Sequence, residues 1–316
     1  MPADAPPISV TDSSESLADW VEVKTLWDPD GNGSQVELKK SLQMSGTTDA
    51  LDDEDESTSR VEAWEDPCEA AVEGAFSEIE DRYHACGSGG GAYPFAVSRE
   101  FVARDGHTHE SVYAFLLLLS RFGHSAGPKG LHGEQLFEDL CACAAEAYLG
   151  GEHSGVKSYV FGFPRRLAPS GFRPALDDLC GALGEGGGSR ERPQTASQKD
   201  AGLDIVAWRS FEDERAGKLI AFGQCATGSN WKDKLVDLQP TDWCTLWMQD
   251  RPAVYPIRLF FVPHRVSHRD WFFRCVQGGI LFDRCRIARY SFLVNEALKK
   301  RLAAWSSHVI ASTEAL

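Results

Sequence analysis

The chain has 316 residues, 42% of them hydrophobic and nine of them tryptophan, enough for one large domain or two ordinary ones with real cores. Its formal charge of −15 is unevenly divided: residues 1–150 hold 29 acids and 9 bases, residues 151–316 hold 18 and 23. No apolar run approaches the ~20 residues of a membrane span, and the Pro- and acid-rich N-terminus lacks the basic start and apolar stretch of a secretory signal, so a soluble cytoplasmic protein is expected. Nine cysteines, an odd number with no CxxC, suit buried thiols in a reducing compartment better than a disulfide frame or a zinc knuckle.

Leu17, Trp20, Val21 and Lys24 predict a first helix over 16–27, capped by Ser13 or Ser14. The turn DPDGNGS and a short helix from Ser34 to about Leu42 complete an expected helical hairpin. The turn resembles a calcium loop through Asp28, Asp30, Asn32, Gly33 and Ser34, but Lys39 stands where the bidentate acid belongs, so it reads as a plain turn. Residues 45–59, SGTTDALDDEDESTS, are expected to be a disordered acidic linker. A helix follows with Asp66 as cap, Pro67 in its first turn, Glu69 completing a capping box, and Cys68, Val72, Ala75, Phe76, Ile79 and Tyr83 as its buried stripe. It stops near CGSGGGAY, a connector with no GK[ST] to make it a phosphate loop. A further helix covers about 109–122.

From residue 131 the order becomes mixed. Helix 132–150, strand 156–164, helix 173–184, a strand around Asp204, a strand ending near Gln224, a helix from Asn230, strand 254–263, a strand within 278–292 and a helix over 294–309 are expected. The organisation is thus an acidic N-terminal segment (1–60), a helical region (61–130) and an α/β domain with a mixed central sheet flanked by helices (131–316). The pair His264/His268 has i, i+4 spacing but follows Pro263 and lacks the acid of a zinc-protease motif, and His107 and His109 flank Thr108 at a helix start; both pairs read as structural or surface residues.

Three stretches carry chemistry: GEQLFEDL (133–140) with Glu138, DAGLDIVAW (200–208) with Asp204, and FGQCATG (222–228) with Gln224. Together they resemble the restriction-endonuclease-like PD-(D/E)xK superfamily, in particular its Mrr-type members, over roughly residues 131–265. The resemblance implies a metal-dependent DNA endonuclease using Mg²⁺ or Mn²⁺. Asp204 would be the principal metal ligand, with Glu138, the Gln224 amide oxygen and the Cys225 backbone carbonyl adding oxygens. Such donors suit a hard cation. Strand alternation is expected to turn Gln224 and residue 226 toward the metal. The family lysine two residues after Gln224 is replaced by Ala226, and Lys234 or Lys232 from NWKDKL is expected to serve instead, Lys234 preferred, with the helix N-terminus favouring an anion.

Arg165, Arg166 and Lys199 are expected to contact the phosphate backbone, with Arg173, Arg190, Arg192 and Arg265 as further candidates. The resemblance further implies a prokaryotic restriction or anti-phage defence setting, with a partner ATPase or sensor meeting the acidic N-terminal half. Each site residue also has a structural reading. The alternative is an inactive nuclease-like fold that docks nucleic acid or protein, for which Ala226 speaks.

Overall fold

The computed structural model describes residues 8–48, 59–87, 91–151, 155–166, 169–191 and 199–314. They fall into two compact units, Met1–Leu118 with Leu302–Leu316, and Leu119–Arg301. Among the described residues no helix is long and apolar enough to cross a membrane.

In the first unit α1 (Ser14–Trp27) starts at Ser13, whose hydroxyl accepts from the Ser16 amide. The expected hairpin after it is interrupted: Asn32–Ser34 form strand β1, followed by α2 (Gln35–Thr48). β1 pairs antiparallel with β3 (Phe101–Ala103), which also pairs with β2 (Ala96–Val97). Strands of two or three residues are too short to show a period, so this sheet has no sequence signal. The calcium-like turn closes on itself, the Asp28 carboxylate accepting from the Asn32 amide, and Lys39 pairs with Glu69 at 2.7 Å.

The expected acidic linker lies largely outside the described residues. The helix after it, α3 (Ser59–Ala85), begins earlier than Asp66 and carries Pro67 inside it, so the expected cap and capping box are not its start. Cys68, Val72, Ala75, Phe76 and Ile79 are buried as expected. α4 spans Val112–Phe122.

The second unit is α/β. α5 (Gly133–Leu149), β4 (Val156–Val160), α6 (Phe172–Leu183), β5 (Ile205–Arg209) and β6 (Leu219–Cys225) follow in order. A 3-10 helix, Trp231–Val236, stands where an α-helix from Asn230 was expected, and Asn230 makes no side-chain cap. Then come α7 (Pro240–Trp247), β7 (Ile257–Phe261), α8 (His268–Gly278), β8 (Ile280–Phe282), which is all the strand that 278–292 contains, and α9 (Arg284–Arg289). α10 (Glu296–Glu314) begins here, and its residues from Leu302 belong to the first unit.

The strands form one five-stranded mixed sheet in the order β4-β5-β6-β7-β8, antiparallel through β6 and parallel beyond it. Parallel pairing of β6 with β7 requires a crossover, and the 3-10 helix and α7 lie in it. Most of β5 and β6 is buried, so both read as continuous apolar runs rather than alternations. One core joins Phe172, Leu176 and Leu179 of α6 to Val206, Phe222 and Trp243. Each such side chain contributes about 1.5–3 kcal/mol on burial.

Candidate functional site

Asp204 lies one residue before β5 and is held there by backbone bonds. Its amide donates to the Gly223 carbonyl at 3.0 Å, and its carbonyl accepts from Phe161 and Gly162 at 2.7 and 2.9 Å. Its carboxylate accepts from the Cys225 amide at 2.6 Å. Cys225 thus meets the Asp204 carboxylate through its N–H. The free thiols of Cys225 and of Cys141 in α5 interact, and with burial this holds the Cys225 thiol well above its ordinary range.

Glu138 is buried. Burial, opposed by Arg166 and reinforced by Asp139 and Asp200, pushes its carboxyl up to about 7. Asp204, half-buried, is likewise held well above the carboxylate range: burial raises it, the Cys225 N–H and Lys234 oppose the rise, and Glu138 and Asp200 add to it. Glu138 thus adds to what disfavours the charged form of Asp204. Among the described residues Oε2 of Glu138 makes no hydrogen bond; the Arg166 guanidinium stands 3.6 Å from it, an ion-pair distance too long for a hydrogen bond. Oε1 of the buried Gln224 likewise makes none among the described residues.

Gly162 leaves the space that Glu138 fills: a β-carbon at 162 would stand 2.9 Å from Oε1 and 3.1 Å from Oε2. Sequence reasoning missed this glycine, and also Asp200, whose charge bears on Glu138 and Asp204 alike. The available signal was local: Asp200 and Gly202 belong to the same DAGLD run as Asp204, and the Gly202 amide donates to the Asp200 carboxylate at 3.0 Å.

The structure separates the two lysines. Lys234 is half-buried and its charge reaches Asp204, whereas Lys232 is exposed with its ammonium 5.8 Å from the Trp231 ring centroid. Ala226 does not face the carboxylates. It is buried with Trp231, Leu235, Phe260, Val262, Val266 and Leu281, where a lysine would place an ammonium among apolar side chains. Since the 3-10 helix has six residues, no α-helix N-terminus opens at this point.

The expected backbone contacts gather on the Glu138 side. Arg166 pairs with Asp139 as well as Glu138. Arg165 lies 4.5 Å from the Phe161 ring centroid and donates to the Ser170 and Lys199 carbonyls. The Lys199 ammonium stands 5.6 Å from the Phe163 ring. Arg173 meets Glu191 at 3.6 Å. Arg190 donates to the Met248 and Gln249 carbonyls, Arg265 pairs with Asp283 at 2.7 Å, and Arg192 lies outside the described residues. Of the histidines, His264 stacks on Trp231 and His107 and His109 sit beside Glu110.

Magnesium and manganese prefer oxygen donors, and magnesium sites commonly use one or two carboxylates completed by substrate phosphate and water. Asp204, Glu138 and the Gln224 amide oxygen are donors of that kind. Among the described residues no group of three or more His, Cys, Asp or Glu side chains is gathered as a metal cluster. A groove of about 670 Å³, lined by Lys157, Arg209, Phe211 and Leu219 among others, opens at the opposite end of β4, β5 and β6. Comparison with protein families, curated proteins and solved structures finds no match to this chain.

Proposed function

We propose that the second unit is a restriction-endonuclease-like fold carrying a Mg²⁺- or Mn²⁺-dependent site that hydrolyses DNA phosphodiesters. The observation that carries this reading is the buried Glu138 and Gln224, each with an oxygen that accepts no hydrogen bond among the described residues, together with Asp204, whose carboxyl, like that of Glu138, is held above its ordinary range. An uncompensated buried acid is costly to a fold and such pairs concentrate at functional sites. The order helix, antiparallel strands, crossover and parallel strand agrees with the resemblance seen in the sequence.

In this reading Asp204, Glu138 and the Gln224 amide oxygen hold the ion. The ion would supply charge neutralisation at the phosphate and an acidified water. The Cys225 amide fixes the Asp204 carboxylate. Lys234 contributes positive charge against the developing negative charge on phosphate. Arg165, Arg166 and Lys199 hold the backbone, Arg166 exchanging a carboxylate for a phosphate. The biological setting proposed is a cytoplasmic restriction or anti-phage defence system in a prokaryote, with an ATPase or sensor protein on the acidic N-terminal half.

The test is nicking of supercoiled plasmid by the full-length protein in Mg²⁺ or Mn²⁺. Wild type is expected to cut, Asp204→Asn to lose about 10³-fold or more, and EDTA to stop the reaction. Cleavage that survives Asp204→Asn overturns the assignment. The second reading, an inactive docking module, is favoured by Ala226, whose apolar surroundings supply no cation at the family position. It prevails if wild type binds DNA without ever cutting it.

A further inference from the structure

α8 exposes what a globular helix usually hides. Trp271 and Cys275 pack inward on the cluster of Trp231, Leu235 and Phe260. The exposed residues His268, Arg269, Phe272, Phe273 and Val276 recur at the spacing of one helix face. Phe272 is 80% exposed, Phe273 59% and Val276 66%. Two adjacent phenyl rings in solvent, on an ordered helix, mark an interaction surface.

The charge around those rings selects the occupant. Residues 264–290 contain six arginines and two aspartates. Both aspartates are engaged: Asp270 lies 3.8 Å from Arg274, and the buried Asp283 takes Arg265 at 2.7 Å. Arg274 in turn lies 5.8 Å from the Phe273 ring centroid. Arg269 and the exposed Arg286 pair with no carboxylate among the described residues, and the Arg286 guanidinium stacks 4.4 Å from the Trp271 ring centroid. Aromatic rings interleaved with unneutralised arginines form the platform on which single strands bind, bases on the rings and phosphates on the cations.

We propose that this face of α8 binds single-stranded nucleic acid, with Phe272 and Phe273 stacking bases and Arg269 meeting phosphates. A duplex keeps its base faces hidden from these rings. A second copy of this chain would bring like-charged arginines together across an isologous contact. The proposal rests on the reading of this unit as a nucleic-acid enzyme and extends it, because α8 packs on the 3-10 helix that carries Lys234.

The experiment is fluorescence anisotropy of a labelled oligo(dT) with full-length Asp204→Asn in EDTA, alongside the same length of duplex. Both phenylalanines are exposed, so their replacement leaves the fold intact, which circular dichroism checks. Phe272→Ala/Phe273→Ala is expected to weaken oligo(dT) binding about tenfold or more, in line with base stacking on aromatic side chains. Phe272→Leu/Phe273→Leu, which keeps the apolar area and removes the rings, is expected to weaken it comparably. Arg269→Ala is expected to flatten the salt dependence by about 0.7 in log–log slope. Affinity within twofold of the parent in the double alanine variant overturns the proposal. So does light scattering that shows an oligomer dissolved by that variant with oligo(dT) binding unchanged. Plasmid cleavage is scored separately: cutting without α8 binding sinks this face alone, and α8 binding without cutting sinks the hydrolytic site alone.

Discussion

Each unit buries acids, and the two treat them differently. In the first, Glu22 is fully buried and fully served: the Tyr93 hydroxyl donates to it at 2.6 Å, the Tyr113 hydroxyl at 2.9 Å, and Arg82 at 2.8 Å. Arg82, itself buried, also takes Asp19 and Glu78 at 2.8 Å each. In the second, Glu138 has an oxygen without a hydrogen bond and Asp204 has one backbone amide and a lysine's field against two other acids. Burial alone therefore does not mark a site. The first cluster is closed, with its cation built in; the second is short of positive charge, which an outside ion or substrate contact can supply.

The largest effect expected from breaking this contrast lies in the closed cluster. Arg82→Ala leaves three acids without their cation and should cost about 3–5 kcal/mol in denaturant unfolding. A loss under 1 kcal/mol would mean that the cluster is not the compensated one. In the open site the sign reverses. The unfolded Glu138 carboxyl loses its proton near the ordinary value of 4.5, while the folded one keeps it to about 7. Its contribution favours folding below that window and is lost as pH rises through it. Glu138→Gln should therefore raise stability at pH 8 by up to ~3 kcal/mol, the gain shrinking toward zero near pH 4.5. Thermal melts across that range check it, and a variant less stable than wild type at pH 8 refutes it.

The lysines sharpen the same comparison from the side of the cation. Lys234→Ala should reduce plasmid cleavage about 10²-fold, whereas Lys232→Ala should stay within twofold; equal losses would show that the cation near Asp204 is not the one used. Gly162→Ala should cost about 1–3 kcal/mol of stability as its methyl crowds Glu138. If Glu138 shares an ion as proposed, adding Mn²⁺ should raise the melting temperature of wild type more than that of Gly162→Ala, whose carboxylate is displaced.

The sequence disclosed elements where packing imposes a pattern. α5, α6 and β6 emerge close to their expected bounds because their apolar residues recur at helix spacing or run unbroken through a two-sided sheet. α8 escaped because its exposed aromatics invert the pattern that betrays a helix. α7 and the sheet of β1, β2 and β3 are short and fixed by tertiary partners. At the candidate site, the stretches holding Glu138, Asp204 and Lys234 could be picked out by residue type, and the structure brings the charges of Glu138 and Lys234 to bear on Asp204. Three things depend on tertiary packing and were not legible: the Cys225 amide on the Asp204 carboxylate, the room left by Gly162, and the apolar seat of Ala226.

The bond from the Cys225 amide to Asp204 also orders events in time. β5 and β6 are antiparallel neighbours joined by residues 210–218, and that bond closes the open end of their hairpin. Hairpins form by short chain searches within microseconds, whereas contacts between distant segments form late. Asp204 can thus be fixed while still wet, and the cost of burying the Glu138 charge is met only when α5 settles on the sheet. Above about pH 7, where that carboxyl is ionised, this cost acts as a brake on the last docking step, so Glu138→Gln should quicken refolding there.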